Sequence, residues 1–457
     1  MKNYDVIILG TGQATGTILP TLLAMKKSVA IVEGDRTGGS CVNWGCTPTK
    51  TLLASARNAH MVRRAEDFGI EVPSFAVNFP KVMDRMNSIR NNSSEGFTAW
   101  LEESTDYYRT FAKFVDAHTL EVGDETITGD EIIIHTGARA RKPEIPGLDD
   151  VPWLDNKRLL SLTELPEHLL ILGGSYIGLE FAQIFKRFGS EVTIIERSDS
   201  LISHEDADVS KRAKAILESE GVEVSLVSDT IKVEMKTEGE IELTYLQGKN
   251  EKKVRGSHLL IGAGRVPNSD NLDLEKAGVM TNERGYIEVD EFCRTNVPHI
   301  FALGDVNGRG AFTHTSVHDG QVYLSSLKGG DRKISDRIPI YSLYMDPPLA
   351  RVGLSEKQAR QQEIPFLVAK MQMSAISRAK EKSETKGFIK ILVSKKDDTI
   401  LGASVFGVGG DEIIGMLALA IEAKLGYQHF QNTVLPHPTV AELLPFMFSN
   451  LSEGKDA

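Results

Sequence analysis

Gly38-Gly39-Ser40-Cys41-Val42-Asn43-Trp44-Gly45-Cys46-Thr47-Pro48-Thr49-Lys50 sets two thiols with four residues between them beside a helix start. That spacing does not bring two side chains together on a regular helix. A bond between the thiols therefore needs a loop or a distorted first turn, where the Cα atoms can approach to about 4.4–6.8 Å. Thr47 and Pro48 supply the break, as N-cap and first helical residue, and put Cys46 beside open backbone N–H groups and the positive end of the helix dipole, where a thiolate is stabilised. A low-pKa thiol next to a second thiol is a redox device. The alternatives are a static disulfide or half of a metal site, and a chain with three cysteines has no second pair to complete tetrahedral sulfur coordination.

Working outward, Tyr4–Leu9 (YDVIIL) is an apolar run that meets glycines at once, as a buried parallel strand does on entering a nucleotide-binding turn. The turn reads Gly10-Thr11-Gly12-Gln13-Ala14-Thr15-Gly16, with Thr15 where a strict fingerprint has glycine or alanine. Gly10 and Gly12 let backbone approach a pyrophosphate, and Gln13 and Ala14 open the helix whose N-terminus carries its charge. A second apolar run, Ser28–Val32, ends on Glu33, placed to receive a ribose diol. Pro20 falls inside the expected helix and should kink it. The pattern repeats at His168–Arg197: strand, then Gly173-Gly174-Ser175-Tyr176-Ile177-Gly178, amphipathic helix, strand and Glu196. Two such folds imply two dinucleotides. Glu196 repels a 2′-phosphate and accepts a 2′-hydroxyl, which favours NADH over NADPH, although the neighbouring Arg197 works the other way.

A chain of 457 residues accommodates about three domains. Its net charge of -11 argues against nucleic acid or an anionic membrane surface as partner. Val6–Met25 is uncharged, but glycines, threonines, Gln13 and Pro20 interrupt it, and no basic segment precedes it. Neither a membrane span nor a signal peptide is expected, and the three cysteines suit a reducing cytoplasm, with Cys293 a lone packed thiol. His314 and His318 are spaced to share a helix face, yet no third ligand lies near them, so no metal site is expected.

GGSCVNWGCTPTK resembles the redox signature of the class I pyridine nucleotide-disulfide oxidoreductases, which include glutathione reductase, dihydrolipoamide dehydrogenase and mercuric reductase. The resemblance extends from Tyr4 to about Pro445. It implies an α/β chain with two Rossmann-like domains, for FAD and NAD(P), and a C-terminal α+β dimerisation domain. The segments expected are 1–147 and 261–335 for FAD, 148–260 for NAD(P) and 336–457 for the interface. It assigns Gly39, Ser40, Lys50, Gly137 of the His135-Thr136-Gly137-Ala138 turn, Asp305 of HIFALGDV and Thr313 to the flavin side. Gly264 of IGAGRVPN belongs to the cofactor-binding set as well. His437 and Glu442 of LPHPTVAELLP match the family's acid/base pair, lent across a homodimer interface to the partner's cysteines.

By the same resemblance, NADH reduces FAD past a movable Tyr176, Lys50 and Glu180 form an ion pair beside the flavin, and electrons reach Cys46 and break its bond to Cys41. Cys41 then exchanges with a small-molecule disulfide or a metal ion while His437 moves the proton. Substrate is the open part of the reading. The tail SNLSEGKDA lacks the cysteine pair of mercuric reductases, which leaves a metal-ion reductase using Cys41 and Cys46 alone. Dihydrolipoamide dehydrogenase, bound to a 2-oxoacid dehydrogenase complex, is a further alternative, as is a low-turnover flavin redox sensor.

Overall fold

The computed structural model describes residues 2–454, so Met1 and Lys455, Asp456 and Ala457 of the tail lie outside the described residues. The chain divides into two compact units: Met1–Thr51, Lys81–Lys142 and Ala263–Arg337 make the first, and Leu52–Pro80, Pro143–Gly262 and Ile338–Ala457 the second.

The first unit is built on the expected parallel strand, Lys2–Leu9, which pairs in parallel with Val29–Val32 on one side and Glu125–Ile134 on the other. Alternate residues point to opposite faces, and both faces are covered. Val6 and Ile8 pack with Ile18, Leu19 and Leu22 of the helix Gln13–Ala24, while Ile7 and Leu9 join Leu120, Ile132 and Ile134. An unbroken apolar run is the pattern such a strand requires. Asp106–Tyr108 and Ile300–Ala302 extend the parallel sheet. Thr119–Val122 folds back antiparallel onto Glu125–Ile134, and Ala112–Phe114 pairs antiparallel with Thr119–Val122 at the sheet edge. Helix Gln13–Ala24 runs through Pro20, whose ring lies on the exposed face. This helix packs on Thr313–Leu327, and Gly320 permits the approach, since a Cβ there would stand 3.2 Å from the Ile18 side chain.

The second unit contains a four-stranded parallel sheet in the order Glu223–Ser225, Glu191–Ile195, His168–Leu172, His258–Ile261, with helix Tyr176–Phe188 following the glycine turn. It also holds a three-stranded antiparallel sheet, Ser228–Thr237, Glu240–Gln247 and Asn250–Gly256. Its C-terminal part is a five-stranded sheet in the order Ile340–Leu343, Leu349–Gly353, Ile400–Phe406, Phe388–Ser394, Phe366–Gln372. Helix Gly410–Glu422 covers this sheet through Ile413, Ile414 and Leu417.

Buried charge joins the nucleotide fold to the C-terminal part within this unit. Arg187, with its side chain 3% exposed, donates to Glu220 Oε2 at 2.7 Å and Asp346 Oδ2 at 2.5 Å, and Gln183 brackets the Asp346 backbone at 2.8 and 2.7 Å. Arg57 pairs with both Asp346 and Glu384. Deleting one partner of such a group leaves a buried charge uncompensated. Arg187→Ala should therefore lower the stability of this unit by about 3 kcal/mol or more in denaturant titration, whereas Lys2→Ala, which removes an exposed ion pair with Asp106, should leave the midpoint unmoved.

Candidate active site and cofactor cradle

The two cysteines meet at the junction of two helices. Gly38 and Gly39, at φ +105° and +61°, turn the chain into a short helix, Gly39–Asn43, that carries Cys41. Asn43 is buried and locks this turn, its amide donating to the carbonyls of Arg36, Thr37 and Gly39 at 3.3, 2.9 and 3.1 Å. The next helix, Cys46–Arg63, begins at Cys46 itself, with the Thr49 N–H bonded to the Gly45 carbonyl at 3.0 Å. This corrects the expectation that Thr47 caps the helix and Pro48 opens it. Pro48 lies deeper in the first turn, where its missing N–H still removes no helical hydrogen bond.

Cys41 is partly buried, Cys46 is exposed, and both are thiols. The Cys46 sulfur also meets Thr313 Oγ1 at 3.2 Å. A hydrogen bond with Cys46, followed by burial, pushes the Cys41 thiol above the usual range, while Thr313 and Lys50 pull the other way.

The first glycine loop stands directly against this pair. A Cβ on Gly39 would lie 3.0 Å from Gly12 Cα, and one on Gly10, at φ +109°, would lie 2.3 Å from the His135 carbonyl oxygen. Thr15 is accommodated by turning its hydroxyl to the Gly10 carbonyl at 2.9 Å, which explains how the irregular fingerprint closes. Helix Gln13–Ala24 starts on Gly12 without a side-chain cap, and the Ala14 N–H meets His135 Nε2 at 3.3 Å. Glu33 accepts from Thr11 N and Oγ1 at 3.0 and 2.6 Å and from Asp35 N at 2.9 Å.

Gly137 adopts φ +71°, and its carbonyl accepts from Asn268 N at 2.9 Å. Asp305 pairs with Arg265 at 2.9 Å on the wall of a cavity of about 140 Å³ shared with Ala138, Tyr286, Gly308 and Gly310. Ser40 is exposed beside Gly39, Lys50 lies one turn beyond Cys46, and Gly264 adopts φ +103° with its carbonyl bonded to Arg141 N. An uncapped helix start among glycines, a carboxylate at the second strand's end and an aspartate facing a cavity are the parts a flavin dinucleotide requires, so these residues fit FAD. Among the described residues no group of three His, Cys, Asp or Glu could hold a metal ion.

The second unit repeats the design. Gly173, at φ +112°, has room for no Cβ, which would fall 2.6 Å from the Gly262 carbonyl oxygen. Glu196 accepts from Gly174 N at 2.5 Å and Ser198 N at 2.6 Å, and Arg197 is exposed beside it. Tyr176 and the partly exposed Ile177 open the helix, and Glu180 is buried one turn on, accepting from Tyr344 N at 2.8 Å. Near the C-terminus His437 Nδ1 bonds Glu442 Oε2 at 2.8 Å, the histidine 77% exposed and the glutamate 12%. Glu442 thus fixes the orientation of an imidazole that is open to solvent.

Family models match in the same arrangement: the pyridine nucleotide-disulphide oxidoreductase over residues 4–320 and its dimerisation domain over residues 340–447. The chain belongs to the pyridine nucleotide-disulphide oxidoreductase family. It is 35% identical to the probable pyridine nucleotide-disulfide oxidoreductase RclA of Escherichia coli (strain K12), over 98% of this chain and 99% of that protein. It is 32% identical to the dihydrolipoyl dehydrogenase of Geobacillus stearothermophilus, over 96% and 94% of the two chains. A Cu(II) complex of the HOCl-induced flavoprotein disulfide reductase RclA from Escherichia coli superposes with a TM-score of 0.90 at 34% identity, covering 98% of this chain and 99% of that one. As a family member the protein is an FAD-dependent oxidoreductase that couples a pyridine nucleotide to disulfide reduction, and it carries the family's dimerisation domain.

Sequence reading did not find the contact of Cys46 with Thr313, because nothing in either segment announces the other. Nor did it give a structural role to His135 beneath the first glycine loop, where a histidine following a buried strand is the only local signal. Gly10→Ala should strain the loop and reduce the flavin-to-protein ratio of the purified protein severalfold. Full flavin content in that variant would contradict the fit.

Proposed function

We propose that the enzyme uses NADH to reduce a small-molecule disulfide at Cys41 and Cys46, as a homodimer in which His437 of the partner subunit serves as acid and base. The observation that carries this reading is the thiol pair itself, set at a helix start against a glycine cradle. Bound FAD supplies the two-electron link between the nicotinamide and the sulfur pair. Gly10, Gly12, Gln13, Ala14, Glu33, Gly39, Ser40, Gly137, Asp305 and Thr313 would hold it. Gly173, Gly174, Ile177, Glu196 and Arg197 would hold the nucleotide, with Gly264 at the segment joining the two, and Tyr176 is the movable gate over the nicotinamide. We assign Lys50 and Glu180 the charges that the family uses to tune the flavin, and the segments 1–147, 148–260, 261–335 and 336–457 the roles of the family's four parts.

Chemistry at sulfur then follows from the side chains. The partner's His437 removes the Cys41 proton, and the Cys41 sulfur attacks one sulfur of the substrate. The substrate S–S bond breaks, its second sulfur leaves as a thiolate, and the imidazolium returns the proton to it. Cys46 next attacks the Cys41 sulfur, releasing the first substrate sulfur as a second thiol and leaving a Cys41–Cys46 disulfide; two electrons have passed from the dithiol to the substrate. Burial of Cys41 supports the need for that base, and exposure of His437 supports its donation to another chain.

NADH is assigned because Glu196 faces the second glycine loop with both oxygens bonded, where a 2′-phosphate would meet a carboxylate. A cytoplasmic setting accords with a chain of three cysteines, two of them in one motif. Among the described residues no helix is long and apolar enough to cross a membrane. One second reading has its own support: the Cu(II) complex of the RclA relative favours a metal ion as an alternative electron acceptor.

His437→Gln should lower disulfide turnover by about 10²–10⁴-fold while NADH still reduces the flavin at the parent rate. Unchanged disulfide turnover would remove His437 from the mechanism. Steady-state NADH oxidation with lipoamide, glutathione disulfide, small aromatic disulfides and cupric ion decides the acceptor, with a disulfide expected to give the highest kcat/KM; a clear excess for cupric ion would install the second reading. NADPH in place of NADH should lower kcat/KM, and Glu196→Ser should narrow that difference.

A further inference from the structure

Tyr176 is held by side chains that belong to neither glycine loop nor thiol pair. Ile202 N donates to the Gly174 carbonyl at 2.8 Å, and a Cβ on Gly174 would meet the Leu201 side chain at 2.5 Å, so the segment after Leu201 is pinned to the loop. From this segment His204 reaches the tyrosine. Its Nε2 is hydrogen-bonded to the Tyr176 hydroxyl, and the rings meet edge-on with centroids 5.1 Å apart at 72°. Tyr341, from the five-stranded sheet, approaches the same ring at 5.7 Å and 56° and hydrogen-bonds with it. The Tyr341 hydroxyl continues to Glu205 Oε1 at 2.5 Å, and Glu205 Oε2 accepts from Arg351 Nε at 2.7 Å, with the Arg351 side chain 3% exposed.

The direction of this chain is fixed from its far end. Glu205, paired with a buried guanidinium, only accepts, so Tyr341 spends its single O–H on it. Tyr176 must then donate to Tyr341, and His204 must donate Nε2–H to Tyr176. Burial keeps both phenols above their usual range, so each retains the proton this order needs, and burial holds His204 below the usual imidazole range beside Glu205, Arg351 and Lys357. A histidine protonated on both nitrogens still donates through Nε2. The chain is therefore a directed run of hydrogen bonds, each link polarised by the next toward one anchored carboxylate.

We infer that His204 and Tyr341 latch the Tyr176 ring, and that the strength of this latch sets how tightly the enzyme takes up NADH rather than how fast it reduces disulfide. The inference rests on Tyr176 being the nicotinamide gate. A site open for only a fraction of the time binds its ligand more weakly by that fraction, so loosening the latch tightens apparent binding. His204 is a positioning residue: it acts on the nucleotide through Tyr176.

The test uses the flavin-loaded enzyme and reads KM for NADH, kcat, and the dissociation constant of NAD⁺ at equilibrium. His204→Phe keeps the ring and loses the donor; KM and the NAD⁺ constant should both fall about fivefold, the size of one lost hydrogen bond, with the change confined to binding and not to kcat. His204→Gln, which offers an amide N–H, should restore parent values. Tyr341→Phe cuts the same chain from the other side and should reproduce His204→Phe, and it decides the matter if His204→Phe does not fold. Binding constants unchanged or raised in both Phe variants overturn the latch. Tyr176→Ala separates the two claims: if it leaves NADH and NAD⁺ binding unaltered, the gate reading fails. If it alters them while His204→Phe and Tyr341→Phe do not, the latch alone fails.

Discussion

The Thr11 hydroxyl joins three pieces of the first unit that the chemistry needs close together. It donates to Glu33 Oε2 at 2.6 Å and accepts from Gly38 N at 2.9 Å, within a fully buried residue of the first glycine loop. One oxygen thus ties the loop to the carboxylate at the end of the second strand and to the turn that introduces Cys41. Buried polar atoms with all partners in place hold one geometry, because any displacement leaves a donor or acceptor unmet. The thiol pair inherits its position from this bond. Asn43 then fixes the short helix carrying Cys41 by capping three carbonyls, and the next helix starts at Cys46.

The second unit reaches a similar end with fewer parts. Glu196 bonds the backbone of its own glycine loop directly, without a threonine between, and its other oxygen holds the Ser198 N–H that follows the strand. Glu196 thus braces the loop on one side. Its other brace comes from the segment at Leu201–Ile202, and this is the segment that brings His204 to Tyr176. A loop held against one pinned segment and one aromatic side chain suits a nucleotide that must come and go, just as a doubly tied loop suits a cofactor that stays.

Much of this was legible in the sequence wherever one residue type has one physical reason to be there. YDVIIL had to be buried on both faces, and the strand divides its side chains between two cores. Gly10 and Gly173 were legible as turn glycines, and each adopts positive φ with a backbone carbonyl where a Cβ would stand. Where two rules competed, the reading slipped: proline favours the first helical position, but it is tolerated throughout the first turn, and the helix begins at Cys46. The antiparallel sheet from Ser228 to Gly256 escaped notice because exposed, charged strands such as Asn250–Gly256 carry little apolar alternation. Contacts between remote segments, Cys46 with Thr313 and Tyr176 with His204 and Tyr341, leave no trace in local pattern at all, since hydroxyls and imidazoles are also ordinary surface residues.

The central claim is that the Cys41 and Cys46 sulfurs cycle between a bond and two thiols at the expense of the nicotinamide. Counting thiols in the denatured protein tests it most directly, because the chain has three cysteines and Cys293 is a buried free thiol outside the motif. The oxidised, flavin-loaded protein should show one reactive thiol after denaturation, and the same protein treated anaerobically with NADH should show three. An equal count in the two samples would contradict the account.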